Sequence, residues 1–376
     1  MYDELFLKRL HTALLAEMMP GAVRRMCETE GGAEGIWEMS EAVIGACHFL
    51  SEEEKAELIS AKKRGLPAET AGKMAAGGIK AVCIEEEAYP ERLRECTDAP
   101  YMIFYKGRMP AEEEKRVAVI GARNCSDYGR RMAEYFGREL AVAGVSIISG
   151  MARGIDGMAQ EACVKAGGRS YALLGSGVDV IYPRSNAGLY EKLQERGGVI
   201  SEYPPGREAL AFHFPLRNRL ISAFCDILLV VEAREKSGTF ITVNYALEQG
   251  REVYAVPGRI EDKLSFGSNR LIAQGAGVAY SVEELLLALK DTERQRKLPD
   301  VTQKTEAKPV KPDNEGWEGS IRRGVRRVLY DSPATAQEIY GRIGMPKMKI
   351  QELLSELMRL EIEGRILCRA GVYELK

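Results

Sequence analysis

Between Val117 and Gly258 the chain repeats one arrangement, in which an apolar stretch typical of a β-strand ends in a short loop of small residues. The loops are Gly121-Ala122-Arg123, Ser149 to Gly154, Gly175-Ser176-Gly177 and Ser237-Gly238-Thr239. A strand, a glycine loop and a helix in succession direct backbone N–H groups and a helix N-terminus toward phosphate. Arginines are interleaved with these loops, and no set of nucleophile, base and metal ligands accompanies them. The pattern favours binding of a polyanion over conversion of a small molecule.

Strands and helices alternate through this region, which indicates an α/β fold with a parallel, doubly wound sheet. Strands are predicted at 79–84, 116–120, 145–149, 169–174, 198–201, 226–231 and 252–256, and helices at 126–143, 154–166, 185–196, 216–223, 239–249 and 267–274. Ligands of such sheets bind beyond the carboxyl ends of the strands. The small-residue loops fall at those ends, and we expect the binding site there.

Four regions are predicted along the chain: a helical domain of SAM or helix-hairpin-helix type (1–70), a Rossmann-like core (78–290), a flexible linker (291–317) and a winged helix domain (318–376). The linker is rich in Pro, Lys, Glu and Thr and poor in apolar residues. In the last region, helices at 321–329, 335–339 and 348–360 precede a hairpin at 365–375. Such a domain is compatible with DNA binding, protein docking or dimerisation. Pro20-Gly21 fits either a phosphate-contacting hairpin or a turn in a structural bundle.

Composition limits the possible class of protein. The 376 residues carry a net charge of −2, so any nucleic-acid surface must be a local basic groove. Eight cysteines lie scattered without a C-x-x-C pair, and three histidines are too few for a local zinc motif. We expect reduced thiols and no metal. No stretch approaches a membrane span and the N-terminus does not resemble a signal peptide, so we expect a cytoplasmic protein without a membrane partner.

Familiar nucleotide motifs do not fit the loops. The dinucleotide pattern G-x-G-x-x-G fails after Gly175 and Gly177, because Val180 stands at the third glycine position. It also fails at Gly121, because Arg123 replaces the second glycine. A Walker sequence is absent. The sequence therefore predicts neither a dinucleotide nor an ATP site.

Arginines near the loops are the main candidate ligands for phosphate. Arg123 lies just beyond a strand, where its guanidinium can bind phosphate through two hydrogen bonds, unless it pairs with Asp127 or Asp156. Arg217-Asn218-Arg219 follows Pro215, and adjacent side chains cannot all face one way. We therefore expect at least one of these arginines to serve structure and another to face the ligand. Asn218 fits either a helix cap or a contact with a base edge.

Other residues near the loops have two interpretations each. Phe212, His213 and Phe214 suit stacking on unpaired bases, or packing in the core. Ser237-Gly238-Thr239 suits a helix N-cap, or an anion site to which Lys236 adds a positive charge. Asp156 and Glu232 have no partner at a catalytic spacing, and we assign them no catalytic role.

An ordered series of motifs resembles one family over residues 78–280. The motifs are AYPERL, VAVIGARNCSDYG, SIISGMARGIDGMAQ, GSGVDVIYP, ISEYPPG, FPLRNRLI, VVEAREKSGTFIT, REVYAVPGR and FGSNRLIAQGA. This series resembles the DNA processing protein A family, known as DprA or Smf. The predicted helical N-terminus and winged helix C-terminus match the layout of that family. The chain departs from it at Gln160, usually histidine, at Ala122, commonly serine, and at Ala223-Phe224-Cys225, usually small and Ser-rich.

The resemblance implies a cytoplasmic, dimeric protein that binds single-stranded DNA, protects incoming DNA during natural transformation and helps to load the RecA recombinase. It implies no cofactor and no enzymatic turnover. Carried over by position, and together with the other loop residues, the expected DNA site comprises Gly121, Arg123, Ser149, Gly150, Arg153, Gly154, Arg184, Arg217, Asn218, Arg219, Lys236, Ser237, Gly238 and Thr239.

One enzymatic alternative is a Rossmann-like nucleotide phosphoribohydrolase of the lysine-decarboxylase-like group. That group resembles this core and carries a G-G-x-G-T-x-x-E motif whose glutamate assists cleavage. Here Gly238-Thr239 leads to Thr242 at the glutamate position. The substitution disfavours turnover.

Overall fold

A computed structural model of the chain describes residues 2–96, 98–297, 320–331, 334–343 and parts of 353–375. The chain divides into two compact units, Met1–Leu298 and Pro299–Lys376. Within the described residues, no helix combines the length and the apolar character that a membrane crossing requires.

The first unit begins with six helices and continues as alternating strands and helices. Its helices are α1 (Glu4–Met18), α2 (Pro20–Glu30), α3 (Gly32–Glu38), α4 (Glu41–Ala46), α5 (Glu52–Lys63), α6 (Leu66–Gly77), α7 (Glu91–Arg94), α8 (Asp127–Val142), α9 (Ile155–Lys165), α10 (Ala187–Arg196), α11 (His213–Ala223), α12 (Thr239–Glu248), α13 (Phe266–Ala273) and α14 (Val282–Lys297). Its strands are β1 (Lys80–Cys83), β2 (Met102–Gly107), β3 (Arg116–Ile120), β4 (Ser146–Ser149), β5 (Ser170–Leu173), β6 (Gly197–Ser201), β7 (Ile227–Val230), β8 (Glu252–Ala255) and β9 (Gly277–Val278).

The N-terminal helices pack around their own apolar cluster, which includes Leu15, Met26, Ile36, Ile44 and Leu58. Local sequence signals set the ends of these helices. Pro20 begins α2, where its fixed φ suits a first helical turn, and Gly31 ends α2 in the left-handed conformation. Ser51 and Glu54 form a capping box at the start of α5. Pro20 and Gly21 thus belong to the first turn of α2.

One nine-stranded sheet organises the rest of this unit, in the order β1-β2-β6-β5-β4-β3-β7-β8-β9. Strands β3 to β9 pair in parallel, whereas β1 and β2 add an antiparallel edge. Every residue of β3, β4, β5, β6 and β7 is buried, because apolar clusters lie on both faces of the sheet. The predicted α/β class with a parallel sheet is confirmed. The predictions missed β2 and β9, and began α11 at 216 instead of His213.

The direction of the strand order reverses at β3. From β3 the chain builds outward through β4, β5 and β6, then returns so that β7 pairs with the other side of β3. The loops that follow β3 and β7 therefore diverge and leave a crevice at the carboxyl edge of the sheet.

The second unit contains α15 (Ser320–Asp331), β10 (Ala334–Thr335), α16 (Ala336–Ile343), β11 (Ile366–Arg369) and β12 (Val372–Leu375). Its strands form a sheet in the order β10-β12-β11. Most of the predicted helix 348–360 lies outside the described residues, and the winged helix assignment stays a prediction. Residues 291–297 belong to α14 and correct the predicted start of the linker, whose remainder, 298–317, lies outside the described residues.

A buried charge network joins β3 to β7. The Asp226 carboxylate accepts the Arg116 backbone N–H at 2.8 Å and lies 2.8 Å from the Arg92 guanidinium. The Arg116 side chain is fully buried, and this burial lowers the pKa of its guanidinium to about 10. The carboxylate of Glu112, about half exposed, lies 3.5 Å from both guanidinium groups. The buried carboxylate is the principal counter-charge for the two arginines.

Replacing Asp226 with Asn is expected to lower the free energy of unfolding by about 3–5 kcal/mol, because two buried guanidinium groups lose their buried counter-charge and keep only the half-exposed carboxylate of Glu112. The matched control is Glu112→Gln, which removes an exposed carboxylate from the same arginines and is expected to cost less than about 1 kcal/mol. Urea denaturation followed by circular dichroism measures both. Equal losses in the two variants would contradict this assignment.

Candidate functional site

Backbone hydrogen bonds hold the loop after β3 on both sides. The Ala122 N–H donates to the Glu232 carbonyl at 2.8 Å, and the Ala122 carbonyl accepts the Ile155 N–H at 3.3 Å. A Cβ atom on Gly121 would lie 2.8 Å from the Ile155 side chain, so this close approach requires glycine. Arg123 therefore extends from a backbone that is fixed against the segments following β7 and β4.

Two adjoining cavities lie at the carboxyl edge of the sheet. The first, the switch-point cavity, has a volume of about 390 Å³ and lies between the loops that follow β3 and β7. The second, the arginine cavity, has a volume of about 670 Å³ and lies between the loops that follow β4 and β5. Four residues line both cavities and make them one continuous recess: Arg123, Ala152, Phe214 and Arg217.

Phe214 lies between the two arginines of this recess. Its ring centroid is 5.6 Å from the Arg123 guanidinium carbon and 5.8 Å from that of Arg217. The Tyr182 ring lies 5.3 Å from it at an angle of 35°. A Cβ atom on Gly175 would lie 2.9 Å from the Phe214 ring, so glycine leaves room for it. Phe214 is half-buried, which leaves part of an aromatic face beside positive charge.

Arg217 is buried beneath the recess and is held by backbone oxygens. Its guanidinium donates to the Gly150 carbonyl at 3.1 Å and to the Leu173 carbonyl. The Asp156 carboxylate accepts the Gly150 N–H at 3.2 Å and provides a nearby negative charge. Burial raises the pKa of Asp156, and the charge of Arg217 opposes that rise. Burial lowers the pKa of Arg217 to about 10, so Arg217 remains charged at neutral pH.

The exposed arginines of the recess have no carboxylate partners. Among residues 2–96 and 98–297, no carboxylate lies within ion-pairing distance of Arg123, Arg153 or Arg184, and all three are exposed. Asp127, a candidate partner of Arg123, lies instead 3.8 Å from Arg130. The recess is thus locally positive in a chain of net charge −2.

The first turn of α12 lines the switch-point cavity. The Ser237 hydroxyl accepts the Thr239 N–H at 3.2 Å and lies 2.9 Å from the Thr239 hydroxyl. Gly238 and Thr239 both line the cavity. The N-cap of α12 is Gly238, so Ser237 stabilises the turn before the helix and is not its N-cap, and the anion-binding role of this turn stays a prediction.

Several of the predicted site residues lie away from the recess. Arg219 pairs with Glu202 and with Asp98 at 2.9 Å, and these carboxylates raise the pKa of Arg219 although burial alone would lower it. Positions two apart on a helix differ by about 200°, so Arg219 faces away from Arg217. The structure thus places Arg219 outside the recess, which fits the expectation that one arginine of the pair serves structure. Lys236 lines a neighbouring depression with Arg270, and Ser237 lines both this depression and the switch-point cavity.

Two predicted residues serve the packing of the loops. The buried Ser149 hydroxyl donates to the Val119 carbonyl at 2.6 Å. Gly154 has a φ of +76°, and a Cβ atom there would lie 2.3 Å from the Ala122 carbonyl oxygen. The remaining predicted residues line the recess: Gly121, Arg123, Gly150, Arg153, Arg184, Arg217, Asn218, Ser237, Gly238 and Thr239.

Sequence reasoning missed Tyr182, whose ring adjoins Phe214 in the arginine cavity. Its position in the loop after a predicted strand was the available signal. Glu232, to which the sequence assigns no catalytic role, is fully buried and accepts the Ser126 N–H at 2.9 Å at the start of α8. Gln160, where the family usually has histidine, is buried and hydrogen-bonded to Met151 and Ser170. Both of these side chains are structural.

Replacing Gly150 with Ala is expected to lower the free energy of unfolding by about 1–3 kcal/mol, because the added Cβ crowds the buried side chains of Arg217 and Asp156. That Cβ would lie 2.6 Å from Arg217 Nη2 and 2.9 Å from Asp156 Oδ2. Gly238→Ala is the matched control, since nothing lies within 4 Å of its Cβ position. Urea denaturation compares the variants, and a loss of the same size in both would refute the steric explanation.

Comparison with known proteins places this geometry in one family. The model of the DNA recombination-mediator protein A family matches residues 80–290. The chain is 42% identical over 203 residues to DNA processing protein DprA of Streptococcus pneumoniae, covering 54% of this chain and 72% of that protein. It is 38% identical over 290 residues to protein Smf of Escherichia coli, covering 77% of this chain and 75% of that protein.

Solved structures give the same result. The X-ray structure of DprA from Streptococcus pneumoniae superposes with a TM-score of 0.65 at 31% identity, covering 75% of this chain and 97% of that chain. DprA from Helicobacter pylori, whose structure describes a single-stranded DNA binding mode, superposes with a TM-score of 0.51 at 26% identity, covering 57% of this chain and 96% of that chain. The sheet, its order of motifs and both kinds of comparison agree that this chain belongs to the DNA recombination-mediator protein A family.

Proposed function

We propose that this protein binds single-stranded DNA along the recess formed by the switch-point and arginine cavities. The observation that carries the proposal is the group of three exposed arginines, Arg123, Arg153 and Arg184, which have no carboxylate partner among residues 2–96 and 98–297. Unneutralised guanidinium groups beside a recess attract a polyanion and bind phosphate with directed hydrogen bonds. The single-stranded DNA binding mode of the Helicobacter pylori relative supports the choice of polyanion.

Aromatic rings favour a single strand over a duplex. Phe214 and Tyr182 lie in the recess beside the arginines, and Tyr182 is 46% exposed. Unpaired bases stack on such rings, whereas the bases of a duplex are already stacked on one another. In the proposed complex the arginines hold phosphates and the rings contact bases.

The proposed cellular role is recombination mediation. A protein that holds single-stranded DNA by its backbone protects incoming strands and helps to load RecA recombinase onto them in natural transformation or recombination. Membership of the mediator family supports this role. We propose that the protein acts in the cytoplasm as a homodimer, with single-stranded DNA and RecA as partners. The proposal includes no cofactor and no enzymatic turnover, and Thr242 lines the cavity where a phosphoribohydrolase needs glutamate.

Replacing Arg123 with Ala is expected to weaken binding of single-stranded DNA to all sequences alike, because the lost contact is with phosphate. The slope of log K against log salt concentration should become shallower by about 0.7. Fluorescence anisotropy with labelled oligonucleotides measures both quantities. Arg196→Ala is the control, since Arg196 is exposed at the opposite edge of the sheet, next to the start of β6. Equal affinities for Arg123→Ala and the parent protein would reject the site.

A strand-exchange assay tests the role as a mediator. Single-stranded DNA coated by its binding protein is mixed with RecA, with and without this protein. We expect faster strand exchange when the protein is present, and a smaller gain with Arg123→Ala because that variant holds the strand less firmly. No gain from the parent protein, with DNA binding intact, would refute mediation but not binding.

A further inference from the structure

A groove in the layer of helices α8, α9 and α10 continues from the arginine cavity. It has a volume of about 810 Å³ and lies between α8, α9 and α10. Arg153 lines both the groove and the arginine cavity, and Ser185 follows Arg184 of the cavity directly in the chain. The groove is therefore an extension of the recess, and its function is not explained by the residues discussed so far.

The groove carries an excess of positive charge. Lys165 and Lys192 share one carboxylate, that of Glu161, at 3.3 Å and 2.7 Å. Burial alone would raise the pKa of Glu161, but the two lysines lower it. Four cationic side chains, Arg138, Arg153, Lys165 and Lys192, line the groove against the two carboxylates of Glu134 and Glu161. The Lys165 side chain is 69% exposed and that of Lys192 is 47% exposed. Both ammonium groups keep the hydrogen-bond donors that a further anion needs.

Small side chains leave the floor of the groove open. Gly157 and Ala162 of α9, Ala166 just after α9 and Gly188 of α10 line it, together with Met158 and Leu189. The four small residues allow an extended chain to lie close to the helices. From Gly154 to Lys165 the floor extends about 16 Å at the rise of an α-helix.

Asn186 fastens the groove to the arginine cavity. Its amide donates to the carbonyls of Met151 and Ala152 at 3.0 Å and 3.2 Å, which ties the start of α10 to the loop after β4. A Cβ atom on Gly157 would lie 3.0 Å from that amide, so the contact also depends on glycine. The cationic surfaces on the two sides of Arg153 are thus held in a fixed relation.

We propose that this groove binds the continuation of the same DNA single strand as it leaves the arginine cavity, with Lys165 and Lys192 contacting its phosphates. The inference rests on the proposed function, because the strand enters the groove from the recess. The shared residue Arg153, the excess of cationic over anionic side chains in the groove and the small residues of its floor together favour an extended polyanion. The groove lengthens the DNA site without adding sequence specificity, since phosphate contacts carry none.

The test compares oligonucleotides of two lengths. A strand of about 6 nucleotides is short enough to occupy the recess alone, whereas one of about 20 nucleotides also reaches the groove. For the double variant Lys165→Gln, Lys192→Gln we expect unchanged affinity for the short strand and several-fold weaker binding of the long one. The salt dependence of the long strand should become shallower by about 1.4, or 0.7 for each lost phosphate contact.

Two further variants sharpen the result. Glu161→Gln removes the carboxylate that the lysines share, and should strengthen binding of the long strand only. Lys73→Gln is the matched control, because Lys73 pairs with Glu69 at 2.9 Å with the same i,i+4 spacing as Lys165 with Glu161 but lies in α6, outside the groove. It should change neither affinity.

The outcomes separate this inference from the proposed function. If Arg123→Ala lowers the affinity for the short strand, while the lysine and Glu161 variants leave the affinity for both strands unchanged, the recess binds DNA and the groove does not. If Arg123→Ala has no effect on either strand, the proposed function itself fails. If the lysine variants impair RecA-dependent strand exchange with DNA binding intact, the groove contacts a protein, and the inference is overturned.

Discussion

The site depends on the two backbone hydrogen bonds of Ala122. Its N–H reaches the Glu232 carbonyl and its carbonyl reaches the Ile155 N–H, at 2.8 Å and 3.3 Å. These bonds join the chain segments after β3, β7 and β4 at the point where the strand order reverses. Glycine at 121 and at 154 permits the approach, because a Cβ atom at either position would collide with the neighbouring segment. A loop fixed in this way holds an exposed arginine at a defined place without pairing it to a carboxylate.

Charge in the recess is divided between a buried layer and an exposed one. In the buried layer, Arg217 donates hydrogen bonds to the Gly150 and Leu173 carbonyls and lies near Asp156. These contacts stabilise the floor of the recess. In the exposed layer, Arg123 and Arg184 keep their donors for a ligand. A net charge of −2 over the whole chain is compatible with strong local attraction, because salt screens charges beyond about 8–10 Å.

The strands of the parallel core could be predicted from sequence, because buried strands are continuous apolar runs that end in glycine loops. Strand β2 was missed, since a short apolar run such as 101–105 fits a strand or a buried helix equally well. Most of the recess residues followed from the loops at the strand ends, whereas Arg184 followed only from the family resemblance. The sequence did not predict that Arg219 lies outside the recess, because its partners Glu202 and Asp98 are distant in sequence. Helical phase shows that Arg217 and Arg219 differ, but only tertiary contacts show which of them faces the ligand.

The arrangement of side chains argues for binding that tolerates any DNA sequence. Reading a base requires donors and acceptors directed at its edge. Asn218 is the natural candidate, yet it lies within α11, where it cannot cap the helix, and its side-chain oxygen accepts a bond from Arg217 Nε at 3.4 Å. Most of the charged groups that line the recess and the groove are guanidinium and ammonium groups, which bind phosphate, and the rings of Phe214 and Tyr182 accept any base face. The proposed function, binding of strands of arbitrary sequence, requires these two kinds of contact.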